Sequence, residues 1–273
     1  MLENGSNRPF GASDGWLNRA VVALHEGDRR LGLSVGPAMP LILQGKAGVQ
    51  TWSDSTLPEL DDDFLRRIRQ VYDGDPVFAR ALDDAMASVK PTPGRSEAVP
   101  GKPRESAFEL AARVAADLLA RDDGPRIAAM DIQGWDTHFS QESRLRKLFE
   151  QLSAGVLELR TGLGRAWTRT VVLIVSEFGR TAAENGSRGT DHGTGGLALL
   201  AGGAVRGGRV LGRWPGLART ALFEGRDLHP VNALEGLFKG VLLAHIGLDE
   251  RTVDATILPA GAGTMAMTDL LRR

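Results

Sequence analysis

Three short segments collect the residue types that could do chemistry: Gln133-Gly-Trp-Asp-Thr-His138, Ser176-Glu-Phe-Gly-Arg-Thr181 and Gly189-Thr-Asp-His-Gly193. Extended backbone turns successive side chains to opposite sides, so Asp136 and His138 can face one point across Thr137. Carboxylate and imidazole together suit zinc, and carboxylates also suit manganese, magnesium or calcium. The pair has a plainer reading as well, with Asp136 capping backbone amides and His138 packed near the start of a helix. Glu177 directly follows an apolar run, where a carboxylate needs a cation beside it. That cation is either a metal or Arg180, three residues on, as a plain ion pair. Asp191-His192 sits between glycines and reads either as further ligands or as a turn in which Asp191 bonds local amides. If the three segments meet, Arg180 and Thr181 could hold the oxygens of a phosphate or sulfate group, for which the guanidinium fork is well shaped.

The elements that must bring them together are legible in outline. Asp14 before an apolar pattern at Leu17, Ala20, Val21 and Leu24 predicts a helix ending near Gly27. Leu31–Val35 and Leu41–Leu43 read as short strands, and helices are expected over 58–72, after the Thr56/Glu59 capping-box spacing, and over 76–89, after Asp75-Pro76. Residues 91–104 contain four prolines and two glycines and read as an irregular loop. Beyond it helices and apolar runs alternate: helix 105–121, strand 127–132, helix 141–161, strand 170–176 and strand 197–201. Gly207-Gly208 suggests a hairpin turn, and a last helix is expected over about 230–246. Continuous Val/Ile/Leu strands separated by helices predict an α/β fold, a mostly parallel central sheet with helices on both faces. Residues 1–273 are then a single domain with a helical insert at about 56–90. Ligands of such sheets collect at the carboxyl ends of strands, where all three polar segments lie.

Composition narrows the function classes. Lys and Arg total 33 against 34 for Asp and Glu, a formal net charge of -1, so the electrostatic footprint of nucleic-acid binding is absent. The longest apolar candidate, Val231 to Ile246, contains Glu235, Lys239 and His245, so no transmembrane segment is expected. Without cysteine there are no disulfides, thiolate metal sites or thiol nucleophiles. The N-terminal stretch has no basic-then-apolar signal pattern. His25 and His245 fall on predicted helices among apolar neighbours, and His229 precedes Pro230; these read as surface, core-edge or structural groups. The glycine pairs at 202–203 and 207–208 do not stand in the strand-to-helix order of a dinucleotide fingerprint.

Gly134-Trp-Asp-Thr-His138, Ser176-Glu-Phe-Gly-Arg-Thr181, Asn185-Gly186 and Gly189-Thr-Asp-His-Gly193, in this order, resemble domain-of-unknown-function family 1501. Asp14-Gly-Trp-Leu-Asn-Arg19, Val35-Gly36-Pro37 and the glycine-rich stretch 202–212 also fit it. The resemblance implies an alkaline-phosphatase-like, sulfatase-like fold and a metal-dependent hydrolase of phosphate or sulfate esters, or a non-catalytic exported protein that binds metal or an anion. It implies that Asp136, His138 and His192 ligate one divalent metal, zinc by the chemistry of the set, with manganese, magnesium or calcium as alternatives. Glu177 would stand where a second metal's ligands arise, with Asp191 a neighbouring ligand and Arg180 neutralising charge on a small anionic ester. Phe178 stands where such enzymes carry a ligating histidine. Relatives typically carry a twin-arginine export signal, which places them in the periplasm, and a first strand with an Asn-Asp ligand motif. This chain, opening at Met1-Leu-Glu-Asn4, is expected to start downstream of both.

Overall fold

The computed structural model describes residues 2–8, 10–24, 31–54, 62–72, 74–76, 78–79, 82–83 and 105–272. Their elements run α1 (Trp16–Leu24), β1 (Gly32–Val35), β2 (Val49–Trp52), α2 (Asp62–Tyr72), α3 (Ala107–Leu119), β3 (Ile127–Met130), α4 (Gln141–Leu163), β4 (Val172–Ile174), β5 (Gly179–Arg180), β6 (His192–Gly193), β7 (Leu199–Ala201) and α5 (Leu234–Val241). Residues 1–53 with 106–273 form one unit and 54–105 another. Within the second unit α2 carries ion pairs from Asp63 to Arg66 (3.0 Å) and Arg67 (2.6 Å), and Tyr72 stacks on Phe78. The predicted helix over 76–89 is seen only at its described positions 76, 78, 79, 82 and 83, and the loop 91–104 and His25 lie outside the described residues.

The larger unit is mixed α/β. Its parallel sheet has three strands, in the order β2-β1-β3, with Leu33 opposite Gln50 on one side and Ala128 on the other. Leu33 and Val35 are buried against Leu110, Val114 and Leu118 of α3 and Leu159 and Leu163 of α4. Strand side chains alternate, and a Cβ at Gly32 would meet Val21 of α1, so helices cover both faces of these three strands. Ser106 and Glu109 form a reciprocal capping box that starts α3 where the chain leaves the second unit. A second cluster joins Trp16 and Ala20 of α1 to Phe238 of α5, Leu242, Val253 and Ile257, with the Trp16 and Phe238 rings stacked at 4.9 Å.

Several expectations are corrected. The later strands do not join the parallel sheet: β4 pairs antiparallel with β7, Val172 opposite Ala201, and β5 pairs antiparallel with β6, each as a separate two-stranded sheet. An apolar run reports burial on both faces, which either direction of pairing satisfies. Leu41–Leu43 is a 3-10 turn rather than a strand, because the buried Asn18 amide takes the Leu43 carbonyl (2.8 Å) that a strand partner would need. Val49–Trp52, which the sequence reading passed over, is the third parallel strand. No hairpin forms at Gly207-Gly208; Val205 bridges Leu271, and Arg206 and Arg209 hold Asp269. The last helix starts at Leu234 rather than 230: the Val231 amide turns back to the His229 carbonyl (2.9 Å), and Asn232 spends its side chain on both backbone groups of Arg213 (2.9 and 3.0 Å). It continues as a π turn over Leu242–Ile246 and ends at Gly247, whose φ of 82° suits a residue without Cβ.

Candidate metal centre

β3 ends at Met130, and the segment that follows turns rather than extends, with Gly134 at φ 97° and the Thr137 amide donating to the Trp135 carbonyl (2.9 Å), yet its side chains still alternate in exposure. Thr137 points inward and is 1% exposed, while Asp136 is exposed and His138 half-buried. The Thr137 hydroxyl donates to Gln141 Oε1 (3.0 Å) at the first position of α4, and the Thr190 hydroxyl donates to the same oxygen (2.8 Å). One glutamine thus ties the loop after β3 to the loop before β6. Asn185 supplies the second tie: its amide donates to the His138 carbonyl (2.9 Å) and to Asp191 Oδ1 (3.0 Å). Its carbonyl oxygen accepts from the amides of Ser187 and Gly189. A Cβ at Gly189 would lie 2.3 Å from the His138 carbonyl, so only glycine lets the two backbones approach this closely.

The consequence is a convergence on Asp136 Oδ1. His138 Nε2 lies at 2.9 Å, His192 Nε2 at 2.7 Å and Arg180 Nη2 at 3.0 Å from it. Asp136, His138 and His192 each offer one ligand atom, all within 4.8 Å of one another. Chain pairing explains how residues so distant in sequence meet: Arg180 and His192 are opposite partners in the β5–β6 ladder. The bond from His192, with charge on His138 and Arg180 nearby, holds the Asp136 carboxyl below its ordinary range. The bonds from Asn185 and His138 lower Asp191 in the same way.

The other predicted residues fall into place around this point. Asp191 stands behind His138, its Oδ1 3.3 Å from Nδ1, on the far side of the ring from Asp136. That is how a metal-binding imidazole is commonly oriented, by a carboxylate on its second nitrogen. Arg180 is not paired with Glu177. Its guanidinium donates to the Thr190 carbonyl (2.9 Å), the Trp135 carbonyl (2.8 Å) and Asp136. Glu177 is exposed and is not part of the three-residue cluster. Thr181 is not free to hold an anion either, because its hydroxyl donates to the Ala183 carbonyl (3.0 Å) and accepts from the Asp191 amide (3.1 Å).

Four contributors were not identified from sequence. Gln141 and Thr137 lock the loops, Arg226 donates to the His192 carbonyl (3.2 Å) from its ion pair with the buried Asp227, and Phe178 lies flat against His192. Thr137 had a signal in its place between two outward-facing residues and Phe178 in its place within the motif after β4, whereas nothing local distinguishes Gln141 or Arg226. A cavity of about 720 Å³ lined by Asn4, Ser6, Arg8, Asp14, Arg19 and Thr256 shares no residue with the cluster. Arg19 there is committed to Asp14, Asn4 and the Ile257 carbonyl.

Comparison with known proteins adds one finding. No curated protein and no solved structure matches the chain. A family model does match, over residues 3–255, which take in α1, the three parallel strands and the whole Asp136–His138–His192 cluster. The chain therefore belongs to the family described as protein of unknown function (DUF1501).

Proposed function

We propose that the chain is a metal-dependent, hydrolase-like protein acting on phosphate or sulfate esters, with Asp136, His138 and His192 holding one divalent cation. The observation that carries this reading is the bonding of His138. Its two ring nitrogens face two different carboxylates, Asp136 and Asp191. A neutral imidazole has one N–H, so one of those contacts must be made through a lone pair unless the ring takes a second proton. With the proton on Nδ1 toward Asp191, the Nε2 lone pair points at Asp136 Oδ1, and a cation between them satisfies both. The donor set, one carboxylate oxygen and two imidazole nitrogens, suits zinc, with manganese, magnesium or calcium as harder alternatives. When bound, such a cation would polarise an ester oxygen and stabilise the charge that develops on it.

The remaining residues of the site bind and orient. Asp191 holds the His138 tautomer, and Arg180 keeps Asp136 in its rotamer while adding positive charge beside the point of convergence. The ester class and an alkaline-phosphatase-like fold rest on the family resemblance together with this anion-friendly, cation-friendly chemistry. Export to the periplasm, typical of relatives, rests on the resemblance alone.

Metal content tests the proposal. Purified wild-type protein, dialysed against a mild chelator, should retain near-stoichiometric metal that an Asp136→Ala/His192→Ala variant lacks. Absence of metal from both, after zinc, manganese and calcium are offered, would sink it. The loaded protein should then hydrolyse a phosphate monoester, a phosphate diester or a sulfate ester. One observation favours a second reading, a non-catalytic metal- or anion-binding protein: three of the Arg180 hydrogen bonds go to the protein itself. Stoichiometric metal with no turnover of any of the three esters would select it.

A further inference from the structure

The two imidazoles of the cluster are held by different means. His138 has its far nitrogen bonded to Asp191. His192 shows no hydrogen bond at its far nitrogen among the described residues; its ring lies on Phe178 instead, with centroids 4.7 Å apart and planes 13° from parallel. The arrangement follows from the ladder. Arg180 and His192 are opposite partners, and Phe178, two residues before Arg180, is the diagonal neighbour of His192, within reach of an aromatic side chain. The Arg180 guanidinium also lies 4.7 Å from the centre of the same ring. Both groups that touch Phe178 reach Asp136 Oδ1, Arg180 by donating (3.0 Å) and His192 through Nε2 at 2.7 Å.

We propose that Phe178 is a positioning residue of the metal centre: its ring fixes the plane of His192 so that Nε2 faces Asp136, doing for His192 by stacking what Asp191 does for His138 by hydrogen bonding. Its lack of any ligand atom is then consistent with its place in the site. A flat ring is required, because an aliphatic side chain of similar bulk fills the space without defining a plane, and the imidazole is then free to rotate about its side-chain bonds. The effect on cation binding rests on the metal-centre reading above, while the orientation of His192 does not.

The test uses the full chain as wild type, Phe178→Leu and Phe178→Tyr, with two readouts. In the metal-free protein, NMR of the His192 ring protons should show them shifted upfield in wild type and Phe178→Tyr by the stacked ring, and returned downfield in Phe178→Leu. Titration with Co²⁺ and Zn²⁺ should show an affinity about tenfold weaker in Phe178→Leu, the size expected for losing a group that orients a ligand, and near wild type in Phe178→Tyr. Equal affinity in wild type and Phe178→Leu would overturn the proposal. So would wild-type His192 protons without an upfield shift, a result that needs no variant to fold. If no form binds a cation, the metal-centre reading fails, and the ring-proton shifts alone uphold or reject the positioning of His192.

Discussion

Of the places in the larger unit where a carboxylate meets basic side chains, two contrast sharply in solvent. Lys239 on α5 is 0% exposed, and its ammonium reaches Asp254 at 2.5 Å and the Thr264 carbonyl at 2.8 Å. Asp136 meets His138, His192 and Arg180 with about half of its side chain in water. A buried ion pair that loses one partner strands the other charge, whereas exposed pairs contribute little to stability. The Lys239–Asp254 pair therefore belongs to the fold, holding the α5 region to the segment after it. Folding energy does not explain why three loops converge on Asp136, which makes that convergence the candidate site.

The comparison is broken most severely at Lys239. Lys239→Ala should cost about 3 kcal/mol or more in urea unfolding, because Asp254 is left without its cation. Lys239→Met, which fills the space but removes the same charge, should cost less by the packing it restores, and equal costs for the two would show that charge matters more than packing there.

Next comes Gly189→Ala, whose added Cβ would lie 2.3 Å from the His138 carbonyl and must push two backbones apart. The expected cost is about 1–3 kcal/mol, with the cation affinity of the centre falling as His138 moves. Unchanged affinity in this variant would separate loop approach from site geometry.

A smaller effect is expected of His245, half-buried in the π turn after α5, where burial lowers its pKa below 6.5. The unfolded chain takes up this proton first, so the contribution of His245 to stability is full above pH 6.5 and is lost as pH falls through the lower folded value. His245→Gln should flatten that part of the stability-against-pH curve, measured by urea midpoints between pH 7.5 and 4.5. A curve that keeps its slope would assign the acid sensitivity elsewhere.

Smallest of all is Asp136→Asn, which should leave the urea midpoint at pH 7 close to wild type while weakening the cation site. Because the folded carboxyl titrates below its ordinary 3.8, its contribution is present above that pH and disappears as pH falls through the folded value. The variant should lack that acid step. A large loss of stability at neutral pH would make Asp136 a structural residue like Lys239.

Sequence alone determined a good deal here. Period-two alternation around Thr137 predicted Asp136 and His138 on one side, and they do meet, although the backbone at Asp136 turns rather than extends. The helices α1, α3 and α4 and the strands β1 and β3 were legible from periodicity, caps and apolar runs, because burial of one face leaves a pattern in the residues themselves. Tertiary structure decided the rest. The direction of β4 against β7, the 3-10 turn at Leu41–Leu43 and the strand Val49–Trp52 depend on which backbone groups find partners elsewhere in the chain. The same holds within the site. The grouping of His192 with Asp136 was implied by the family motif, but that Arg180 bonds Asp136 rather than Glu177, and that Gln141 and Phe178 hold the arrangement, follow from pairings made only in the folded chain. Residue types specify which contacts are chemically possible, and only the folded backbone brings the two halves of each contact within reach.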